Sequence, residues 1–171
     1  EFAIAHTNLG IALLLQGNVE GAIMAQQEAV RLAPEMAKVH FNLGNALSRT
    51  EQCEPAIKAF QNAINLAPDW PLARFRLANL LAAAQKYDEA VAEYKQVLRL
   101  SPNDPDAWFQ LGLNLYRRAL TEDSRYAAEA AKEALQKAVT LAPQNEAASK
   151  MLRDVLKTLK VRVRFRWPWS R

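Results

Sequence analysis

A single cysteine in 171 residues leaves no internal disulfide to form, so nothing in the sequence calls for an oxidising compartment. Only two histidines are present, and with Cys53 they make no cluster at zinc-ligand spacing. The five glycines include no run that follows a strand and could cradle a phosphate. Cys53 has only His40 near it in sequence, and a Cys–His catalytic pair would also need an orienting group and an oxyanion site. Half the residues are apolar, yet no stretch approaches the roughly 18 uninterrupted apolar residues of a membrane span. These absences set the first expectation: a helical protein without catalytic activity, cofactor or bound metal.

Net charge is small over most of the chain and concentrated at one end. Of the net +4, residues 157–171 hold Lys157, Lys160, Arg162, Arg164, Arg166 and Arg171 with no acid, leaving 16 basic against 18 acidic residues before them. The body is near neutral and the end is basic. The chain opens without methionine and inside a helical pattern, as a fragment of a longer chain would.

What is present is a period. Leu43, Gly44, Leu47, Ala56, Ala63, Leu66 and Pro68 are matched 34 residues upstream by Leu9, Gly10, Leu13, Ala22, Ala29, Leu32 and Pro34. Downstream the same places hold Leu77, Ala78, Leu81, Ala90, Val97, Leu100 and Pro102, and a fourth copy opens with Trp108, Leu111, Gly112 and Leu115. One fixed period over so many places is the signature of stacked repeats, each burying its apolar stripe against its neighbours. His6 and His40 stand one period apart, where the fourth copy has Trp108, and read as packing residues.

The fragments WFQLGLNLY (Trp108 to Tyr116), EPAIKAFQNAINLAP (Glu54 to Pro68) and DEAVAEYKQVLRLSP (Asp88 to Pro102) resemble the tetratricopeptide family, a helix-turn-helix repeat of 34 residues. The resemblance runs from residue 3 to residue 160. It implies an all-α fold, a right-handed superhelical solenoid, with repeats at 3–36, 37–70, 71–104 and 105–144, a capping helix at 145–160 and a basic aromatic tail at 161–171. Within each repeat the first helix turns a small residue (Gly10, Gly44, Ala78, Gly112) toward the second, which answers with Ala22, Ala56, Ala90 or Ala131. Leu9, Leu13, Leu43, Leu47, Leu77, Leu81, Leu111 and Leu115 are the expected buried stripe at helical spacing. Each second helix stops at Leu-Ala-Pro or Leu-Ser-Pro, because proline cannot continue it and holds the preceding residue out of the helical region.

The fourth repeat departs from the period: Pro143 follows Pro102 by 41 residues, an insertion of about seven. Thr121 is a candidate N-cap for a second helix running from about 122 to 142 and projecting past its neighbours, either as a tolerated insertion or as a knob for a partner. In the capping helix, Ala148, Met151, Leu152, Val155, Leu156 and Leu159 share one side. The tail VRVRFRWPWSR alternates with period two, so an extended chain would show Val161, Val163, Phe165, Trp167 and Trp169 on one side and Arg162, Arg164 and Arg166 on the other. Its apolar side is expected to cover the last helix or a neighbouring molecule. An anionic membrane surface and a nucleic acid are the other readings of that composition.

In the resembling family stacked first helices line a concave groove, which the period maps onto this chain as rows. One row holds Asn8, Asn42, Arg76 and Gln110, a second Asn45 and Asn79, a third Phe41, Phe75 and Phe109, with Arg49 and Arg117 at the rim. Amide side chains both donate and accept, so such a ladder can hold the backbone of an extended peptide. The basic residues Lys38, Arg49, Arg76, Arg117 and Lys150 outnumber Asp106 and Asp154 there, which favours an acidic segment or a free carboxylate. The carboxylate clamp of chaperone-docking members is matched only by Asn42 and Arg76, with Thr7, Ile11 and Leu72 at its other places. The function expected is a non-catalytic scaffold that binds a protein segment in complex assembly. The alternative is a peripheral membrane adaptor acting through Arg162, Arg164, Phe165, Arg166, Trp167 and Trp169, with self-association of the tail a further outcome. The expected location is cytoplasmic, in the alternative at a membrane surface.

Overall fold

The computed structural model describes residues 1–50 and 53–164, and all the described secondary structure is helical. Two compact bodies are present. The first, Glu1–Ala84, holds α1 (Phe2–Leu15), α2 (Val19–Leu32), α3 (Ala37–Leu47), α4 (Cys53–Leu66) and α5 (Pro71–Ala83). The second, from Gln85, holds α6 (Tyr87–Leu100), α7 (Pro105–Thr121), α8 (Arg125–Leu141) and α9 (Glu146–Arg164). The division falls inside the third repeat of the sequence, between its two helices. In both bodies each helix packs on the next in chain order.

Local chemistry sets the helix ends. Gly17, at φ 80°, closes α1: the Asn18 N–H donates to the Leu13 carbonyl, and the Asn18 side chain then caps α2 by accepting from the Gly21 N–H at 2.9 Å. Asp104 accepts from the Asp106 and Ala107 N–H groups at the start of α7, where Pro105 takes the first turn without losing a hydrogen bond. The residues before Pro34, Pro102 and Pro143 lie at φ −144°, −137° and −135°, the extended backbone that a following proline imposes.

In the first body α1 meets α2 through Gly10, against which the Gln26 side chain lies, and α3 meets α4 through Gly44, where an added methyl would stand 2.9 Å from the Phe60 ring. In the second body a methyl on Gly112 would come within 2.6 Å of Leu135. Ala22, Ala56, Ala90 and Ala131 are fully buried. Leu47, Ala56 and Ala59 form a cluster joined by Ile23, Leu43 and Leu80, which ties α2, α3, α4 and α5 together. Phe41 adds an aromatic contact, 5.7 Å from Phe60 and 4.5 Å from Trp70 between ring centroids.

Three sequence expectations need correction. Leu9 does not join the buried stripe: it is 51% exposed, whereas Leu77 and Leu111 are 2% and 4%. Its counterparts lie under the second helix of a preceding hairpin, and among the described residues none covers α1. The inserted residues do not lengthen one projecting helix. α7 has 17 residues against 13 in α5, and α8 has 17 against 14 in α6, so both arms of the hairpin grow. Thr121 is therefore the last residue of α7, donating its hydroxyl to the Arg118 carbonyl, and the N-cap of α8 is Ser124. Asp123, at φ 49°, makes the turn between them.

The third correction concerns residues 161–164, which continue α9 instead of running extended. With no sheet edge to pair with, the backbone meets its hydrogen-bonding needs within the helix. Arg162 and Arg164 fall in its last turn, while Phe165, Arg166, Trp167 and Trp169 lie outside the described residues. Earlier in α9, Ala148, Val155 and Leu159 are buried, Met151 and Leu152 half-buried and Leu156 exposed. The Tyr116 hydroxyl on α7 and the Thr158 hydroxyl on α9 share a 2.8 Å hydrogen bond.

Candidate functional site

Of the groove residues named from the sequence, seven lie on α3 and α5 or just after α3 in the first body, and Phe109, Gln110 and Arg117 lie on α7 in the second. Each set is described within its own body. On α3, Phe41 is buried between Phe60 and Trp70, so its ring serves packing. Asn42 is buried as well, and its Nδ2 donor has no hydrogen-bond partner. Asn45 is half-buried, and Arg49, just past the helix end, is exposed. On α5, Arg76 is exposed and Phe75 and Asn79 are half-buried, each engaged with neighbours.

Electrostatics distinguishes this face from the rest of its body. α1, α3 and α5 contain no Asp or Glu, whereas α2 carries Glu20 and Glu28 and α4 carries Glu54. One acid on the second helices is already neutralised: Arg31 holds the Glu28 carboxyl below its usual range. α3 and α5 themselves bring Lys38, Arg74 and Arg76, with Arg49 just past α3, while the acids nearest in sequence, Glu35 and Asp69, lie in the turns before the two helices. Lys38, Arg49 and Arg76 are exposed.

On α7, Phe109 and Gln110 are half-buried and Arg117 is exposed. Asn114, one turn past Gln110 and absent from the sequence-based set, is fully buried; its Nδ2 donates to the Gln110 carbonyl at 2.8 Å while Oδ1 has no partner. Arg118 is engaged elsewhere, contacting Glu122 and Asp88 at 3.0 Å each, and the hydrogen bond to Glu122 raises its pKa further. Arg117 is the cation that α7 offers to solvent. Burial pushes the Tyr94 phenol up, so it is a neutral packing group.

Sequence reasoning also missed a cavity of about 420 Å³ in the second body, lined by Trp108, Glu133, Gln136, Lys137 and Thr140. Four of the five come from one exposed side of α8, and the insertion had hidden their register with earlier repeats. His40 and Trp108 each reach back to a proline carbonyl, as packing residues closing a turn. Cys53 is a free, half-buried thiol at the start of α4. Among the described residues no group of His, Cys, Asp and Glu could hold a metal ion, and no helix is long and apolar enough to cross a membrane.

Helical hairpins closed by proline, with small residues at each crossing and polar side chains on the first helices, define an all-α helical repeat protein. A tetratricopeptide repeat model matches residues 1–69 and a second TPR repeat model matches residues 78–118, together more than half of the chain. The chain belongs to the tetratricopeptide repeat family. Among solved structures it is similar to YrrB, described as a TPR protein with an unusual peptide-binding site, at 26% identity over 86% of this chain and 73% of that one, with a TM-score of 0.74. It is also similar to MamA, residues 41 to the end, from Desulfovibrio magneticus RS-1 (22% identity, 94% and 96% of the two chains, TM-score 0.75). The first TPR of Spaghetti (RPAP3), bound to the HSP90 peptide SRMEEVD, aligns at 24% identity over 69% and 94%, with a TM-score of 0.66. A comparison with the curated proteins gives no match.

Proposed function

We propose that the protein is a non-catalytic interaction scaffold whose first body binds an extended protein segment of acidic character along α3 and α5. The observation that carries this reading is Asn42. Its Nδ2 is a buried donor without a partner, a condition that costs about 1–3 kcal/mol, and it lies on the helix that also presents Asn45 and leads into Arg49. A segment along α3 that draws the Asn42 amide out of its buried position would offer that donor a carbonyl or carboxylate. The absence of acids from α3 and α5 supports a negatively charged segment, since rim cations chiefly steer and select the partner. Arg117 on α7 is a separate cationic contact in the second body. That YrrB carries a peptide-binding site and the Spaghetti domain holds a peptide ending in Glu-Val-Asp supports the same class of partner.

The test is fluorescence anisotropy of the full chain against a set of extended peptides that differ in acidic content and in whether the C-terminus is free or amidated. Acidic peptides are expected to bind, more weakly at higher salt, and the combined variant Asn42→Ala, Asn45→Ala, Arg76→Ala, Asn79→Ala is expected to lose at least tenfold in affinity while keeping its helical circular dichroism. Equal binding of basic and acidic peptides, or unchanged affinity in the folded variant, would overturn the reading.

A further inference from the structure

The side of α9 turned away from its own body is a row of cations. Lys150, Arg153, Lys157, Lys160 and Arg164 follow one another at alternating steps of three and four, so they fall within about 80° of the helix circumference and span about 21 Å. The first four are exposed. Ala148, Val155 and Leu159, buried where α9 packs on α8 and α7, lie on the opposite side. Glu146 opens the row, and Asp154 beside it is held by Lys157 at 3.3 Å. From Lys150 to Arg171 the sequence holds eight basic residues and that one acid, Asp154.

This side is not built to take a further helix. Gly112, Leu115 and Ala119 are buried on the side of α7 that meets α8. The register that carries Ala107 to Ala148 and Asn114 to Val155 puts Arg153, Leu156 and Lys160 in those three places. A second helix could not approach Arg153 as α2, α4 and α8 approach Gly10, Gly44 and Gly112, and it would bury the charges of Arg153 and Lys160. The basic row is therefore an outward surface of the fold in its own right.

We propose that α9 is an electrostatic contact for an anionic lipid surface, with its basic row laid against the headgroups. The row has no aromatic ring or amide among its cations to read a particular protein or base, and a layer of lipid phosphates and carboxylates asks for none, since it presents anions all along the helix. Each cation held within a Debye length of such a surface adds to the attraction. Phe165, Trp167 and Trp169, which follow α9 directly in the sequence, are side chains that favour the boundary between headgroups and hydrocarbon. A nucleic acid duplex would meet the cations but not those rings, and an acidic protein would need carboxylates set at the same spacing. Charge and interfacial aromatics are two signals, as lasting attachment to a bilayer requires. The contact lies in the second body and does not depend on peptide binding along α3 and α5.

The test is co-sedimentation of the full chain with vesicles of phosphatidylcholine alone and of phosphatidylcholine with about one-third phosphatidylserine, over a salt series. Binding is expected to the anionic vesicles only, and to fall as salt rises. The combined variant Lys150→Gln, Arg153→Gln, Lys160→Gln, with residues 161–171 intact, is expected to lose about tenfold or more in affinity. The variant Lys58→Gln, Lys95→Gln, Arg99→Gln removes the same charge from exposed places on α4 and α6 and is expected to bind like wild type. A wild type that ignores anionic vesicles or binds neutral ones equally, or a row variant that keeps its affinity, would overturn the proposal. So would a single- or double-stranded oligonucleotide that binds more tightly than the vesicles at the same salt. The wild-type arms need no substitution, so they can refute the proposal whatever the folding of the row variant.

Discussion

Trp108 donates from its indole Nε1 to the carbonyl oxygen of Pro102, six residues earlier, at 2.8 Å. The same bond recurs with different chemistry in the other repeats: His40 Nε2 to the Pro34 carbonyl at 2.7 Å, and Arg74 Nε to the Pro68 carbonyl at 3.1 Å. Each of these prolines lies in the turn just past a second helix, and a side-chain donor from the next first-type helix pairs its carbonyl. For His40 the contact requires the proton on Nε2, since a carbonyl only accepts.

The three bonds should therefore contribute similar amounts although their side chains differ in size and charge. Trp108→Phe, His40→Leu and Arg74→Leu are each expected to lower stability by about 0.5–1.5 kcal/mol, the net worth of one hydrogen bond. Urea unfolding monitored by circular dichroism measures it. A loss at Trp108 with none at Arg74 would show that ring packing, not the shared bond, is what matters.

Gln26 stands in the place that Phe60, Tyr94 and Leu135 hold in the other repeats. Fully buried against Gly10, it donates from Nε2 to the Thr7 carbonyl at 3.0 Å, while Oε1 has no partner. An apolar side chain there removes a buried acceptor left unmet, and the Thr7 carbonyl keeps its place in the α1 ladder. Gln26→Leu is expected to stabilise the protein by about 1–2 kcal/mol, seen as a higher urea midpoint with an unchanged slope. A lower midpoint would mean that the Thr7 contact, not the stranded oxygen, dominates.

Two neighbouring hydroxyls at the tip of the α7–α8 hairpin should behave differently. Ser124 Oγ accepts from the Ala127 N–H at 3.2 Å and caps α8, so Ser124→Ala is expected to cost about 1 kcal/mol. Thr121 only returns a bond to the Arg118 carbonyl on its own helix, and Thr121→Ala is expected to fall within about 0.5 kcal/mol of wild type. Thermal melts of the pair decide the assignment of the cap.

The repeat period made much of this legible in advance. Gly44 against Phe60 and Gly112 against Leu135, the fully buried Ala22, Ala56, Ala90 and Ala131, and the proline stops all follow from spacing alone, because packing at a fixed crossing admits few side chains. What spacing cannot carry is what lies next to a helix. Leu9 has the same letter as Leu77 and a different fate, since burial depends on a neighbouring element and not on the residue. Thr121 and Ser124 are equivalent as letters, and only the left-handed turn at Asp123 settles which one caps. On the candidate face, the rows of the period placed Phe41 with the ligand contacts, but Trp70, at the end of the same repeat, takes its ring. Whether a polar side chain on that face is open or engaged is a property of its surroundings, which a single sequence does not list.

The lengthened hairpin has a consequence for how such an array can change. Residues added where two antiparallel helices join are shared between the arms, four to α7 and three to α8 here, while Gly112 still meets Leu135 as Gly44 meets Phe60. New sequence at that tip leaves every stacking partner below it in place. The joint at residues 122–124 is thus a growth point, where evolution can lengthen the chain, or a designer can graft a foreign loop, without retuning the remaining contacts.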